Sequence, residues 1–167
     1  KTIENEGIKT EFFQLGGEKV NGCIACMKCQ KEKDGKCHQK NKAINSCIDE
    51  MVKADAIIIG SPTYYADLST EAKALIDVSA FALSGAGNPL KRKPGAAVVA
   101  ARRAGGVHAF DSINHFFLIN EMIIPGSSYW NIGIGLNKGD VLKDEEGMET
   151  MRTLGKNMAW LLKKINS

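Results

Sequence analysis

The segment ADAIIIGSP, at residues 54–62, constrains the fold more than any other part of this sequence. Its run of β-branched residues stops at Gly60, Ser61 and Pro62, a pattern typical of a strand buried on both faces of a parallel sheet. A second apolar run, GAAVVAA at 95–101, has the same character. Segments of helical periodicity separate and follow the two runs. Strands that alternate with helices predict right-handed βαβ units and a doubly wound α/β fold.

Hydrophobic periodicity predicts the remaining elements. Helices are predicted from Asn41 onward and over 69–81, 107–123 and 144–165, and further strands over 8–15 and 128–135. Cys47 lies on the apolar face of the first of these helices. We therefore interpret it as part of the core rather than as a ligand.

Length and composition limit the class of protein. A chain of 167 residues suits one domain, predicted to span 1–167 with a cysteine-rich loop at 22–37. The apolar fraction of 44% and the charged fraction of 25% are typical of a soluble globular protein, and no apolar run is long enough to span a membrane. The small net charge of +3 argues against nucleic-acid binding. Five cysteines, an odd number, without a leader-like segment favour a reducing cytoplasm.

The start of the chain differs from the usual start of a doubly wound domain. Such domains open with an apolar strand and a phosphate-binding loop. This chain begins KTIENEGIKTEF, which we interpret as the polar end of a helix that leads into the second strand. We therefore expect the first strand, the phosphate loop and the phosphate-binding residues to precede Lys1.

Three motifs occur in a characteristic order. They are GCIACMKCQKEKDGKC at 22–37, GSPTYYADLSTEAKALID at 60–77 and RAGG at 103–106. With them the sequence resembles, over nearly its whole length, the NADPH-dependent FMN reductase and iron-sulfur flavoprotein group of the flavodoxin-like superfamily. The resemblance implies a parallel sheet of order 2-1-3-4-5 with FMN at the carboxyl ends of the strands. It also implies homodimers or homotetramers in which a neighbouring subunit covers the flavin.

The turn after the first buried strand matches the family's Ser-Pro-x-Tyr motif. Pro62 fixes its own φ and favours an extended Ser61, so the chain turns sharply where open α/β sheets bind ligands. The amides of Thr63, Tyr64 and Tyr65 are predicted to pair with the polar edge of the flavin ring system. The two tyrosine rings would add apolar stacking area.

The RAGG stretch follows the strand at 95–101 and completes the predicted cofactor site. Ala104, Gly105 and Gly106 are expected to let the backbone approach the flat flavin closely. Arg102 and Arg103 are candidates for binding a phosphate of NAD(P)H or stabilising negative charge on the flavin. No catalytic acid–base residue is predicted, because in flavin chemistry the protein mainly binds, stacks and shields.

The cysteine loop has three interpretations. Two consecutive C-x2-C steps place Cys23, Cys26 and Cys29 on one tight loop, and Cys37 can supply a fourth thiolate to a [4Fe-4S] cluster. Structural zinc usually takes its thiolates from two C-x2-C pairs set further apart, so zinc matches less well. Free thiols, or an opportunistic disulfide, are the third interpretation. The spacing of the cysteines alone does not decide between a cluster and free thiols.

Four functions follow. The first is an FMN-dependent oxidoreductase that passes electrons from NAD(P)H to a quinone, a free flavin or another small acceptor. The alternative is an iron-sulfur flavoprotein that carries electrons between ferredoxin and FMN through the cluster. A flavodoxin-type carrier is less well matched, because flavodoxins are usually strongly acidic and this chain is not. A thiol or metal sensor without flavin would use the cysteines alone.

Overall fold

Three parallel strands, within the described residues 1–166, form one sheet in the order β1-β2-β3. In this computed structural model β1 is Ile57–Pro62, β2 is Gly95–Ala101 and β3 is Ile132–Ile134. Ile57 is level with Gly95, and Val99 is level with Ile132. The parallel sheet confirms the predicted α/β class, and its order agrees with the last three strands of the 2-1-3-4-5 series.

The helices alternate with these strands along the chain. They are α1 (Thr2–Asn5), α2 (Lys28–Glu32), α3 (Lys42–Lys53), α4 (Thr70–Gly85), α5 (Gly106–Ile119) and α6 (Glu145–Ile165), with a 3-10 turn at Asp140–Lys143. Side-chain caps define two helix starts: Ser69 accepts a hydrogen bond from the Ala72 amide, and Asp144 accepts one from the Gly147 amide. None of the helices described within residues 1–166 has the length and apolarity to cross a bilayer.

The core has a large and a small layer. On one face of the sheet, β1 and β2 pack against α3, α4 and α5, with Phe117 and Ile44 fully buried. Cys47 belongs to this layer at 8% exposure, which confirms its interpretation as core. On the other face, Leu154 and Met158 of α6 pack on Ala96 of β2. Helices therefore cover both faces, as in a doubly wound sheet.

Three details of the predicted strands are wrong. Ile58 of β1 is 44% exposed, because α6 packs on β2 and leaves the second face of β1 open. Residues 8–15 form no strand: no ladder pairs them with another segment of residues 1–166, and Phe12 is 88% exposed. The predicted strand at 128–135 shortens to β3.

Helix α5 ends at Ile119, earlier than the predicted residue 123. Asn120 stops it, because its side-chain amide donates to the Phe116 carbonyl at 2.7 Å. Glu121 then turns left-handed, with φ 54°. This turn returns the chain to the sheet, where the Ile123 carbonyl accepts a hydrogen bond from the Gly95 amide at 2.9 Å.

Candidate functional site

Ser61 anchors the end of β1 to the start of α4. Its hydroxyl accepts a hydrogen bond from the Ser69 amide at 3.0 Å and donates to the Pro62 carbonyl at 2.8 Å. Ser61 is buried, so its polar atoms are used within the protein. The residue shapes the carboxyl edge of the sheet, where open α/β sheets bind ligands.

A two-residue turn follows at this edge. Tyr64 and Asp67 pair through two backbone hydrogen bonds of 2.8 and 3.0 Å. Between them, Tyr65 and Ala66 both have positive φ, at 49° and 64°, as a type I′ turn requires. Left-handed backbone at two successive non-glycine residues is uncommon and concentrates at functional sites. Both tyrosine rings are largely exposed.

Two of the three amides predicted to meet a flavin already have partners, so the prediction is wrong for them. The Thr63 amide donates to the Ala100 carbonyl at 2.8 Å and extends the sheet ladder, while the Tyr64 amide closes the turn. The Tyr65 amide donates to no acceptor within residues 1–166. The buried Thr63 hydroxyl oxygen also lacks a partner there. These two groups are among the polar atoms of the turn that have no protein partner within residues 1–166.

The RAGG stretch packs directly on this turn. Gly105 has φ +83°, and a Cβ added there would lie 2.7 Å from the Ala66 Cα. A Cβ added to Gly106 would lie 3.0 Å from Cγ2 of Ile132 in β3. Both glycines therefore allow the protein's own segments to approach closely, so their closest contacts are internal. Three exposed residues precede them: Arg102, Arg103 and Ala104.

Asp67 joins the turn to α5, a role that the sequence did not reveal. Its Oδ1 accepts hydrogen bonds of 2.8 Å from the Leu68 amide and the Ser112 hydroxyl, and its Oδ2 lies 3.6 Å from His108 Nε2. Burial opposes ionisation of Asp67, but these hydrogen bonds outweigh it and hold the pKa of its carboxyl below its usual range. The carboxylate therefore stays charged and holds the turn against α5.

The four cysteines of the loop at 22–37 line one cavity. Val78 and Phe81 of α4 form one apolar wall, and loop residues together with His38 and Gln39 form the rest. Cys23 and Cys26 are exposed, whereas Cys29 and Cys37 are half-buried, and none of these thiols is in a disulfide. The structure thus brings all four predicted ligands together.

Left-handed residues curl the backbone of this loop. Ala25 and Met27 have φ of 50° and 58°. The sulfur atoms accept N–H hydrogen bonds: Cys23 from the Ala25 amide at 3.4 Å and Cys26 from the Gln39 side chain at 3.2 Å. Such curled segments direct amides inward and are common at anion and iron-sulfur sites.

The thiols differ in acidity. Hydrogen bonds from the Lys28 amide and the Gln39 side chain lower the pKa of Cys26. Burial, with the three neighbouring thiols, raises the pKa of Cys29. No three His, Cys, Asp or Glu side chains of residues 1–166 meet as a ligand set around a single ion. The four thiols share one cavity without forming such a set.

Helix α2 fixes the middle of the loop to α4. The Gln30 side chain donates to Ser84 Oγ at 2.9 Å, and a Cβ added to Gly85 would lie 2.9 Å from the Cys29 carbonyl oxygen. The turn between Tyr64 and Asp67, here called the tyrosine turn, lies before the start of α4, whereas the cysteine cavity lies beside Val78 within that helix. At about 1.5 Å per residue, roughly 12 Å of helix separates Thr70 from Val78.

Alkylation should distinguish the loop thiols from the core thiol. Burial raises the pKa of Cys47 to about 11, whereas the pKa of Cys26 is lowered. In metal-free protein at neutral pH, iodoacetamide should therefore modify Cys26 at least about 100 times faster than Cys47. Mass spectrometry of the alkylated peptides measures both rates, and in urea the two should converge. Equal rates in the folded protein would contradict the described burial.

Comparison with solved structures defines the class of this protein. A flavodoxin, WrbA-like protein from Agrobacterium tumefaciens matches with a TM-score of 0.56 at 19% identity, covering 70% of this chain and 71% of that chain. RosB, solved with bound 8-demethyl-8-formylriboflavin-5'-phosphate, matches with a TM-score of 0.63 at 14% identity, covering 98% of this chain and 69% of that chain. The chain has a flavodoxin-like fold.

Sequence comparison then gives the family. Residues 1–137 match the family model described as NADPH-dependent FMN reductase. An iron-sulfur flavoprotein of Methanocaldococcus jannaschii is 38% identical over 170 residues, covering 98% of this chain and 86% of the relative. The chain belongs to the NADPH-dependent FMN reductase and iron-sulfur flavoprotein family, which confirms the resemblance, and it is a flavin oxidoreductase by class.

Proposed function

We propose that this chain is an iron-sulfur flavoprotein that carries electrons between a protein donor such as ferredoxin and FMN. The observation that carries the proposal is the shared lining of one cavity by four thiols, Cys23, Cys26, Cys29 and Cys37. The Methanocaldococcus jannaschii relative is named an iron-sulfur flavoprotein, a name that combines an iron-sulfur group with a flavin. A [4Fe-4S] cluster held by these thiolates would supply one-electron chemistry.

The loop geometry fits a cluster better than a single ion. Each of the four irons of a cubane takes its own thiolate, so the ligands must surround a volume. The lining of one cavity by four thiols supports this interpretation. N–H donors to Cys23 and Cys26 would offset the negative charge of a thiolate-ligated cluster.

The tyrosine turn is the proposed FMN site. The Thr63 hydroxyl and the Tyr65 amide lack protein partners within residues 1–166, and the rings of Tyr64 and Tyr65 are exposed for stacking. Arg102 and Arg103 are proposed to neutralise negative charge at the same edge. Ser61, Pro62, Ala104, Gly105 and Gly106 are proposed to shape the site. FMN bound there would exchange one or two electrons.

The surface around the thiols suits an acidic electron donor. Exposed Ile24 and Met27 would provide an apolar centre. Four exposed lysines follow them in the loop: Lys28, Lys31, Lys33 and Lys36. A basic rim of this kind steers acidic partners and makes association sensitive to salt. We therefore propose that the electron donor docks at the cysteine loop and that electrons enter the protein there.

Electron transfer from NAD(P)H to a small acceptor such as a quinone or free flavin is the second candidate. The match to the NADPH-dependent FMN reductase model favours it. Arg102 and Arg103 make no ion pair within residues 1–166, so their charges are free for a dinucleotide phosphate. This function needs no cluster.

Stopped-flow spectroscopy under anaerobic conditions separates the two candidates. We expect reduced ferredoxin to reduce the bound flavin at least about tenfold faster than NADPH or NADH, with a rate that falls as salt rises. Lys31→Gln should slow this reaction, whereas Lys156→Gln, an exposed lysine on α6, should not. Rapid reduction by NADPH, with no response to ferredoxin, would favour the second candidate and contradict the first.

We further propose that the protein acts in the cytoplasm as a single-domain homodimer or homotetramer. Exposed free thiols such as Cys23 and Cys26 persist best in a reducing compartment. Exposed apolar side chains, including Trp130 and Ile119, offer area for contact between subunits. Light scattering of the purified protein measures the oligomer.

A further inference from the structure

Two asparagines hold the two ends of the cysteine loop: Asn41, the N-cap residue of α3, and Asn45, in the first turn of that helix. The Asn45 side chain accepts a hydrogen bond from the Cys37 amide and donates one to the Cys37 carbonyl, each at 2.9 Å. The Asn41 side chain does the same to Asn21, with two hydrogen bonds of 2.8 Å. Each carboxamide therefore satisfies both backbone groups of one loop residue.

We infer that Asn41 and Asn45 are positioning residues that set the four thiols in place before any metal binds. The inference rests on the proposed function, because it assigns the two asparagines to the site of the cluster. They lie four residues apart at the N-terminal end of α3, and we call the pair the clamp. The loop at 22–37 begins next to Asn21, which Asn41 binds, and ends at Cys37, which Asn45 binds.

The clamp is anchored at the buried start of α3. Asn41 is 1% exposed, and Ile44 and Ile48 of the same helix are buried in the main core. A loop of this length would otherwise lose much conformational entropy when it orders around a ligand. Fixing both ends in the ligand-free protein reduces that loss when the ligand binds.

Asn41 has an additional contact with the site. Its side-chain amide lies 3.8 Å from Cys37 Sγ and donates to it. Asn45 contacts only the backbone of Cys37. Hydrogen bonds to cluster sulfurs stabilise the more reduced form. Asn41 therefore supports both the position and the charge of the fourth thiolate.

The first measurement uses the metal-free protein, so it does not depend on a cluster. In wild type, the Cys37 amide should be protected from hydrogen exchange by its bond to Asn45. Asn45→Leu should remove that protection, whereas Asn45→Asp, which retains an acceptor for the amide, should preserve part of it. Unchanged exchange at Cys37 in Asn45→Leu would overturn the clamp.

The second measurement follows iron and sulfide after anaerobic reconstitution and a fixed chelator challenge. Asn45→Leu should retain about tenfold less iron than wild type, with Asn45→Asp between them, because supporting groups of metal sites contribute about 10–100-fold to affinity. Asn120→Leu is the control, since the Asn120 side chain likewise donates to a backbone carbonyl, that of Phe116, but lies at the end of α5, away from the cysteine loop. Equal iron loss in the control would overturn the inference.

A wild-type protein that takes up no iron would contradict the proposed function. The exchange of the Cys37 amide would then still decide the clamp, as a device that orders the four thiols. Loss of exchange protection at Cys37 with full iron retention in Asn45→Leu would show that the asparagine orders the backbone but does not position ligands, and would also overturn the inference.

Discussion

Gly105→Ala is expected to lower the free energy of unfolding by about 2–5 kcal/mol. A left-handed alanine costs about 1–2 kcal/mol, and forcing a methyl group into a packed contact costs about 1–3 kcal/mol more. The contact is with backbone, because the added Cβ would lie 2.7 Å from the Ala66 Cα. Urea unfolding monitored by circular dichroism measures the change.

Gly87→Ala is the matched control for this variant. Gly87 has the same φ of +83°, but a Cβ there would meet nothing within 4 Å. Its substitution should therefore cost only the backbone strain of about 1–2 kcal/mol. Equal destabilisation by the two variants would show that the RAGG stretch does not press on the tyrosine turn.

Gly105→Ala should also weaken flavin binding. Ala66 must move to admit the methyl group, and Tyr65 moves with it. Fluorescence titration of the apoprotein with FMN should show at least about tenfold weaker binding for Gly105→Ala, because a shift near 1 Å at a positioned contact costs on the order of 1.4 kcal/mol or more. Gly87→Ala should bind FMN like wild type. Unchanged affinity in Gly105→Ala would place the flavin elsewhere.

Cys29→Ser is expected to cause the largest loss at the cysteine loop. Cys29 is half-buried, and its acidity responds to the other three thiols around the cavity. Loss of a ligand should exceed the effect of a supporting group, which is about 10–100-fold in affinity. Iron and acid-labile sulfide per chain should therefore fall at least about tenfold after anaerobic purification.

Cys47→Ala controls for the removal of a thiol as such. Cys47 is buried in the main core and lies outside the cavity. Its substitution should reduce stability slightly and leave iron and sulfide unchanged. If Cys29→Ser retained wild-type iron, or if Cys47→Ala lost it, the loop would not be the ligand set.

Sequence patterns predicted the strands and helix starts that depend on neighbouring residues along the chain. The apolar run at 95–101 matches β2 residue for residue, and the helix starts at Ser69 and Asp144 carry side-chain caps. The exposure of Ile58 could not be predicted, because periodicity does not show which helix packs on which part of the sheet. A strand at 8–15 would need a neighbouring strand to pair with, and the sequence of one segment does not show whether such a strand is present.

The candidate site was predictable where it follows from topology. Carboxyl ends of adjacent parallel strands meet at one edge, so the turn after β1 and the RAGG stretch after β2 lie together. Which amides are free depends on hydrogen bonds to distant residues, such as that from Thr63 to Ala100. The contacts of Asp67 with Ser112 and of Asn41 with Asn21 are likewise between residues far apart in sequence.

An absorption spectrum of anaerobically purified full-length chain, with iron, sulfide and flavin measured on the same sample, tests the central claim most directly. We expect flavin bands on a broad iron-sulfur absorption, with iron and acid-labile sulfide at the stoichiometry of one [4Fe-4S] cluster per chain. Flavin without iron or sulfide, both as purified and after reconstitution, would contradict the claim that the four thiols hold a cluster.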